Sequence, residues 1–252
     1  MTTCDAFIIK ALAPYTACRP VDGGTLVTTQ CLYPGGDGVS VLVGQGADGY
    51  SVSDDGAGWQ ALLAAGMEVS PSTHGKRARS IAATMGVEFR RGSFIADAIG
   101  DAQLGAAIVI VANASQRWVT DILSERQRRV ERDLRRLVAD QLARLFTRDR
   151  ISTHRQLSGA TSKTYEFANI VALPNRLLIV EPVANHAGAI AASFLKLTDV
   201  HNAHPDFPRE VVIEDQDSWK SEDLAVLSEA SDGIRDIARG LEPLRAKYPE
   251  AA

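Results

Sequence analysis

Asp54 and Asp55 stand side by side in SVSDDG, between Ser53 and Gly56, and adjacent carboxylates are candidates for a metal or catalytic site. A hard cation needs several oxygen ligands, however, and no EF-hand spacing continues from this pair. The same four residues fall where a strand hands over to a helix. A Ser or Asp oxygen there accepts from otherwise orphaned N–H groups, and negative charge suits a helix N-terminus. Ser53, Asp54, Asp55 and Gly56 therefore read as a turn and cap. The second chemical feature is arginine: Arg128, Arg132, Arg135 and Arg136 share one face of a helical stretch, and guanidinium forks bind phosphate well. Glu125–Arg129, Glu131–Arg135 and Asp140–Arg144 are i,i+4 pairs, so a solvated, charge-balanced face is the competing reading. His186, His201 and His204 invite zinc. They lack HExxH spacing and a nearby cysteine, so they read as loop residues around NAHPDFP. Cys18 and Cys31 have no evident histidine partner, and no GxSxG, P-loop or strand-following GxGxxG occurs.

The elements that must position these groups centre on residues 115–146, a run free of Gly and Pro. Val119, Ile122, Leu123, Val130, Leu134, Leu137, Val138, Leu142, Leu145 and Phe146 recur at three- and four-residue steps, which predicts one apolar stripe. At ~1.5 Å per residue such a helix is about 50 Å long, more than a small domain covers, so a homodimer through this helix is expected. Before it, a short helix is expected at 5–12. Strands follow at 25–32, 39–44 and 49–53 as an antiparallel meander with Gly/Asp turns. Then come a helix at 57–65, a linker VSPSTHGKRA, a helix at 76–85, a hairpin in GVEFRRGSFIAD, and a buried helix or strand within 101–113. Helix, hairpin and helix beside Lys76, Arg77 and Arg79 suggest a winged-helix arrangement, with a solvated helix start as the plainer reading. After it, the polar stretch 147–160 marks a boundary. Strands at 163–172 and 176–183, a helix at 187–197, a strand at 210–214 and a helix from Ser218 to 230 complete a ββαβα block, with a helical turn or two before Pro243.

The fold class is thus α+β, in three parts: an N-terminal domain 1–114, a connecting amphipathic helix 115–150 and a C-terminal domain 151–252. A net charge of −4 disfavours polyanion binding by the whole surface and leaves room for a basic patch. Three cysteines without a CxxC pair fit a reducing cytoplasm, and no window approaches the ~18 apolar residues of a membrane span. A cytoplasmic protein with no membrane partner is expected.

Two stretches carry a resemblance. DGYSVSDDG with the following LLAAG and the hairpin-like GVEFRRG resembles the N-terminal domain of an uncharacterised bacterial and prophage two-domain family. SGATSKTYEFANIV with the later VVIED looks like its companion C-terminal domain. The resemblance implies a phage- or mobile-element-associated protein with no established chemistry; since the residues carry no intact catalytic motif and call for no cofactor, an accessory role by binding a protein or nucleic acid, in phage–host conflict or anti-defence, is expected. The β–β–α–β order also resembles the core of the restriction-endonuclease-like fold, here in degenerate form. That likeness implies a metal-dependent nuclease as the alternative, with Glu166, Glu181 and Lys196 around Mg²⁺. The chain departs from that pattern, because Glu181-Pro182-Val183 puts valine where the lysine belongs and Lys196 would have to replace it from the next helix. A purely structural oligomer is the third reading.

Overall fold

The structure, a computed structural model, describes residues 17–249; the helix expected at 5–12 and Cys4 lie outside them. The chain parts between Arg126 and Gln127 into two compact units. Each has its own sheet and apolar core, and the class is α+β.

The first unit holds a six-stranded sheet in the order β1-β2-β3-β4-β6-β5, every neighbour antiparallel. The predicted meander is β2 (Gly24–Leu32), β3 (Gly38–Gly46) and β4 (Gly49–Ser53). An unpredicted edge strand, β1 (Cys18–Val21), tolerates Pro20 because an edge leaves half its backbone groups unpaired. Helix α1 (Ala57–Ala64) ends one residue before its predicted limit. Helix α2 (Pro71–Met85) overturns the linker expected at VSPSTHGKRA. Ser70 accepts the Thr73 N–H at 3.2 Å, and Pro71 occupies the first turn, where its missing N–H costs nothing. Lys76, Arg77 and Arg79 of α2 are exposed, as a solvated helix start requires, and Arg77 makes a surface ion pair with Asp121 at 2.6 Å. The hairpin is β5 (Glu88–Arg90) and β6 (Ser93–Ile99).

Helix α3 (Leu104–Leu145) absorbs both the element expected within 101–113 and the long helix expected from 115, because nothing after Gly105 interrupts helical geometry. Its apolar start is not wholly buried: Ala107, Val111 and Ala112 enter the core, while Val109 stays 53% exposed. The core of this unit gathers around Trp118, fully buried against Trp59, Phe89 and Phe94.

In the second unit, Leu134, Val138 and Leu142 of α3 are buried, but Val130 and Leu137, placed on the same stripe from sequence, are exposed. The sheet runs β11-β10-β9-β8-β7. Its members are β7 (Ile151–Ser158), β8 (Thr164–Ala172), β9 (Leu177–Pro182), β10 (Arg209–Ile213) and β11 (Gly233–Asp236). β7, β8 and β9 pair antiparallel; β9, β10 and β11 pair parallel through crossover helices α4 (Ala187–Ala203) and α5 (Ser221–Ala230). β9 and β10 are buried almost throughout, as strands covered on both faces must be. The polar stretch read as a boundary contains β7, and the tail read as helical turns holds β11 before helix α6 (Glu242–Lys247). Pro243 opens α6 rather than ending a helix. Ser218 is not the cap of α5: its hydroxyl donates to the Asp215 carbonyl, and Lys220 stands at the cap. α4 runs past its predicted end, so His201 is helical, while His204 caps the helix and stacks on Phe207 at 4.7 Å.

Candidate functional site

The nuclease-type residues come partly together in the second unit. Glu181, near the end of β9, is 2% exposed. Its Oε1 accepts from Lys196 Nζ at 2.5 Å, and its Oε2 accepts the Ala168 N–H of neighbouring β8 at 3.0 Å. Lys196 comes from α4, donates also to the Glu166 carbonyl at 3.4 Å, and lies 5.0 Å from the Phe167 ring centroid. The lysine expected to migrate from strand to helix thus does reach Glu181.

Glu166 does not complete the set. Its side chain accepts from His154 at 2.8 Å. That hydrogen bond, helped by the charges of Arg135 and Lys196, holds the Glu166 carboxyl below its ordinary range. Mg²⁺ chemistry needs free carboxylate oxygens converging on one point. Here both oxygens of Glu181 are engaged, Glu166 is engaged with His154, and among the described residues no three His, Cys, Asp or Glu side chains group to hold a metal ion. The residues do not fit a metal centre as they stand.

A cavity of about 230 Å³ opens beside this pair, lined by Glu131, Arg135, Glu181, His186, Ser193 and Lys196 among others. Sequence reading missed Glu131 and His186 as partners. His186 caps α4 by accepting the Ala189 N–H through Nδ1, which leaves Nε2 to donate to Glu131 at 2.8 Å. Glu131 therefore serves His186 and not the i,i+4 pair with Arg135. The one available sequence signal was a histidine directly before a helix start.

The arginines extend from this cavity along α3. Arg128, Arg132, Arg135 and Arg136 are all exposed. At 3.6 residues per turn, the first three fall within a sector of about 60°. Arg136 pairs with Asp133 at 3.7 Å and Arg129 with the same carboxylate at 3.9 Å. Arg128 and Arg132 make no ion pair among the described residues.

The SDDG residues have separate roles in the first unit. Asp54 is 2% exposed. Its Oδ1 accepts the Phe94 N–H at 2.8 Å and the Gly56 N–H at 3.4 Å; its Oδ2 accepts the Ser115 hydroxyl at 2.6 Å and the Gly58 N–H at 3.4 Å. Ser115 in turn meets the Tyr33 hydroxyl at 2.8 Å, and burial pushes the Tyr33 phenol up to about 12. Burial also raises the Asp54 carboxyl, against the pull of its hydrogen bonds. Ser53 accepts the Asp55 N–H at 3.0 Å, and Gly56 takes a left-handed conformation ahead of α1. Asp54 is consequently a structural junction, whereas Asp55 is exposed and lines a separate cavity. No helix among the described residues is long and apolar enough to cross a membrane. No protein family's sequence profile matches the chain, and no curated protein is significantly similar to it.

Proposed function

We propose that the second unit binds nucleic acid along α3 and does not cleave it. The observation that carries this reading is the row Arg128, Arg132 and Arg135: exposed, aligned, and ending at the cavity that Arg135 lines. Residues 124–150 hold nine arginines against five acidic residues in a chain whose net charge is −4, so positive charge is concentrated there. Guanidinium groups spaced along a helix meet successive phosphates, and released counterions supply the affinity. The accessory role in phage–host conflict implied by the family resemblance would be exercised through this surface, in the cytoplasm. A homodimer through residues 115–146 belongs to the same reading. Val130 and Leu137, 40% and 41% exposed and seven residues apart, are the apolar positions open to a second copy.

The test is gel retardation of duplex and single-stranded DNA and of RNA across a salt series, with Mg²⁺ and with EDTA. Retention should be salt-sensitive. In the variant carrying Arg128→Ala, Arg132→Ala and Arg135→Ala it should weaken at least about tenfold, with the log–log salt slope reduced by about 2–3. Unchanged retention in that variant, or none by the parent, would sink the proposal. Metal-dependent nicking lost in Glu181→Ala would install the nuclease in its place.

A further inference from the structure

We propose that the first unit carries a second, separate ligand site: a pocket for a nucleotide, with the base against Trp59 and Phe89 and the phosphate on Arg79 and Arg91. A cavity of about 620 Å³ is lined by Asp55, Trp59, Gln60, Arg79, Phe89 and Arg91 together with glycines and Ser93. That volume lies within the usual range for small-ligand sites, about 300–1,000 Å³.

The walls are half-buried aromatics fixed from behind. Trp59 and Phe89 both pack on Trp118, at 5.9 and 5.6 Å between ring centroids. Trp118 is fully buried, and its indole N–H donates to the His74 carbonyl at 3.3 Å. A flat ring entering the pocket therefore meets aromatic surface that is already ordered, which is what base stacking requires.

The polar lining is uncommitted. Asp54, one residue away, spends both carboxylate oxygens on four donors. By contrast the side chains of Asp55, Gln60, Arg79, Arg91 and Ser93 make no hydrogen bond or ion pair among the described residues. Two guanidinium groups without a carboxylate partner suit a phosphate, and the amide, hydroxyl and carboxylate suit the edge of a base.

Backbone conformation points to the same use. Arg91 and Gly92 connect β5 to β6 with φ of 52° and 87°, the two left-handed residues that a tight hairpin turn demands. Asparagine or glycine fits the first of these positions without strain, and a long charged side chain does not. An arginine held there faces the cavity at the expense of the turn. Residues held in such a backbone conformation cluster at ligand sites.

Calorimetric titration of the full chain tests the site, using adenosine and guanosine 5′-monophosphates, the two nucleosides, inorganic phosphate and a 5′-phosphorylated pentanucleotide. A nucleotide should bind at least about tenfold more tightly than nucleoside or phosphate alone, because the second contact is made within one molecule. Equal binding of mononucleotide and pentanucleotide identifies a free nucleotide as the source of the ligand; binding of the pentanucleotide alone, kept by the triple arginine variant of α3, identifies a strand end. Arg91→Asn should weaken binding at least about tenfold while leaving the unfolding midpoint unchanged or higher, a split that a purely structural role for Arg91 would not produce. Arg79→Gln should lose affinity likewise. The triple arginine variant of α3 should bind the mononucleotides normally, which separates this site from the nucleic-acid surface proposed above. Neither mononucleotides nor the pentanucleotide binding better than phosphate, undiminished binding by Arg91→Asn, or capture of an acidic tyrosine peptide in preference to every nucleotide would overturn the proposal.

Discussion

Glu210→Ala should lower the unfolding free energy of the second unit by about 3 kcal/mol, one of the two largest losses expected from a single substitution. Glu210 sits on β10 with no exposed surface. Its Oε1 accepts from Lys247 at 2.6 Å and from the Tyr248 hydroxyl at 2.9 Å; its Oε2 accepts from Arg235 at 3.0 Å. One carboxylate thereby ties the edge strand β11 and the end of α6 to β10. Burying a charge is tolerable when every lone-pair direction is used, and removal then leaves the cations facing one another without their anion. Lys247 and Arg235 keep 38% and 28% of their side-chain surface exposed, so water recovers part of the loss and the estimate sits at the low end for a broken buried pair. Burial beside Glu210 also raises the Tyr248 phenol well above its ordinary range. Hydrogen exchange of the β10 and β11 amides across a urea series measures the effect in this unit alone. Glu210→Gln should fall between the parent and the alanine variant, and a loss below about 1 kcal/mol in Glu210→Ala would mean the three partners are held by other contacts.

The same sheet explains which elements the sequence disclosed. β9 and β10, and β8 from Phe167 onward, are largely apolar runs buried on both faces, and such runs announce themselves. β7 and β11 are edges. In ISTHRQLS only Ile151, Ser152 and Leu157 are even half-buried, and GIRD is four residues long, so neither carries alternation to detect. Pro71 was read as part of a linker and Pro243 as the end of a helical tail, yet both open helices, a position proline favours. Within the candidate sites, Glu181 and Lys196 were legible through the resemblance to the restriction-endonuclease-like core, which asks for an acid on the second strand and left a lysine to be supplied from the following helix. The Glu131–His186 contact was not, for it joins positions 55 apart on different elements. The pocket around Trp59, Phe89 and Arg91 was invisible for a similar reason. Its walls come from α1 and the β5–β6 hairpin, and only packing on Trp118 brings them face to face.

Asp54→Ala should cost the first unit about 3 kcal/mol, and Asp54→Asn less, with a change in pH dependence that the alanine loss alone would not reveal. Asp54 joins three elements: α1 through the Gly58 N–H, β6 through the Phe94 N–H and α3 through Ser115. Alanine leaves those donors buried without an acceptor, and each orphaned donor costs about 1–3 kcal/mol before relaxation. The site cannot close over the gap easily, because a Cβ on Gly58 would already lie 2.6 Å from Ser115 Oγ and 3.2 Å from Trp118. The sign of the pH effect follows from burial, which raises the folded-state pKa of Asp54 above its ordinary 3.8. The folded chain then binds more protons than the unfolded chain between those two values. Stability from this residue is accordingly greatest below the unfolded value, falls as pH rises through the window up to the folded value, and is level beyond it. Glu166, Asp199, Asp232 and Asp236 are shifted downward and act in the opposite sense, but all four belong to the second unit. Subtracting the Asp54→Asn curve from the parent curve isolates the Asp54 contribution. The difference should decline with pH across that window; a flat difference would show that its four hydrogen bonds balance burial and leave the carboxyl at its ordinary value, and a rising one that they outweigh burial and hold it below that value.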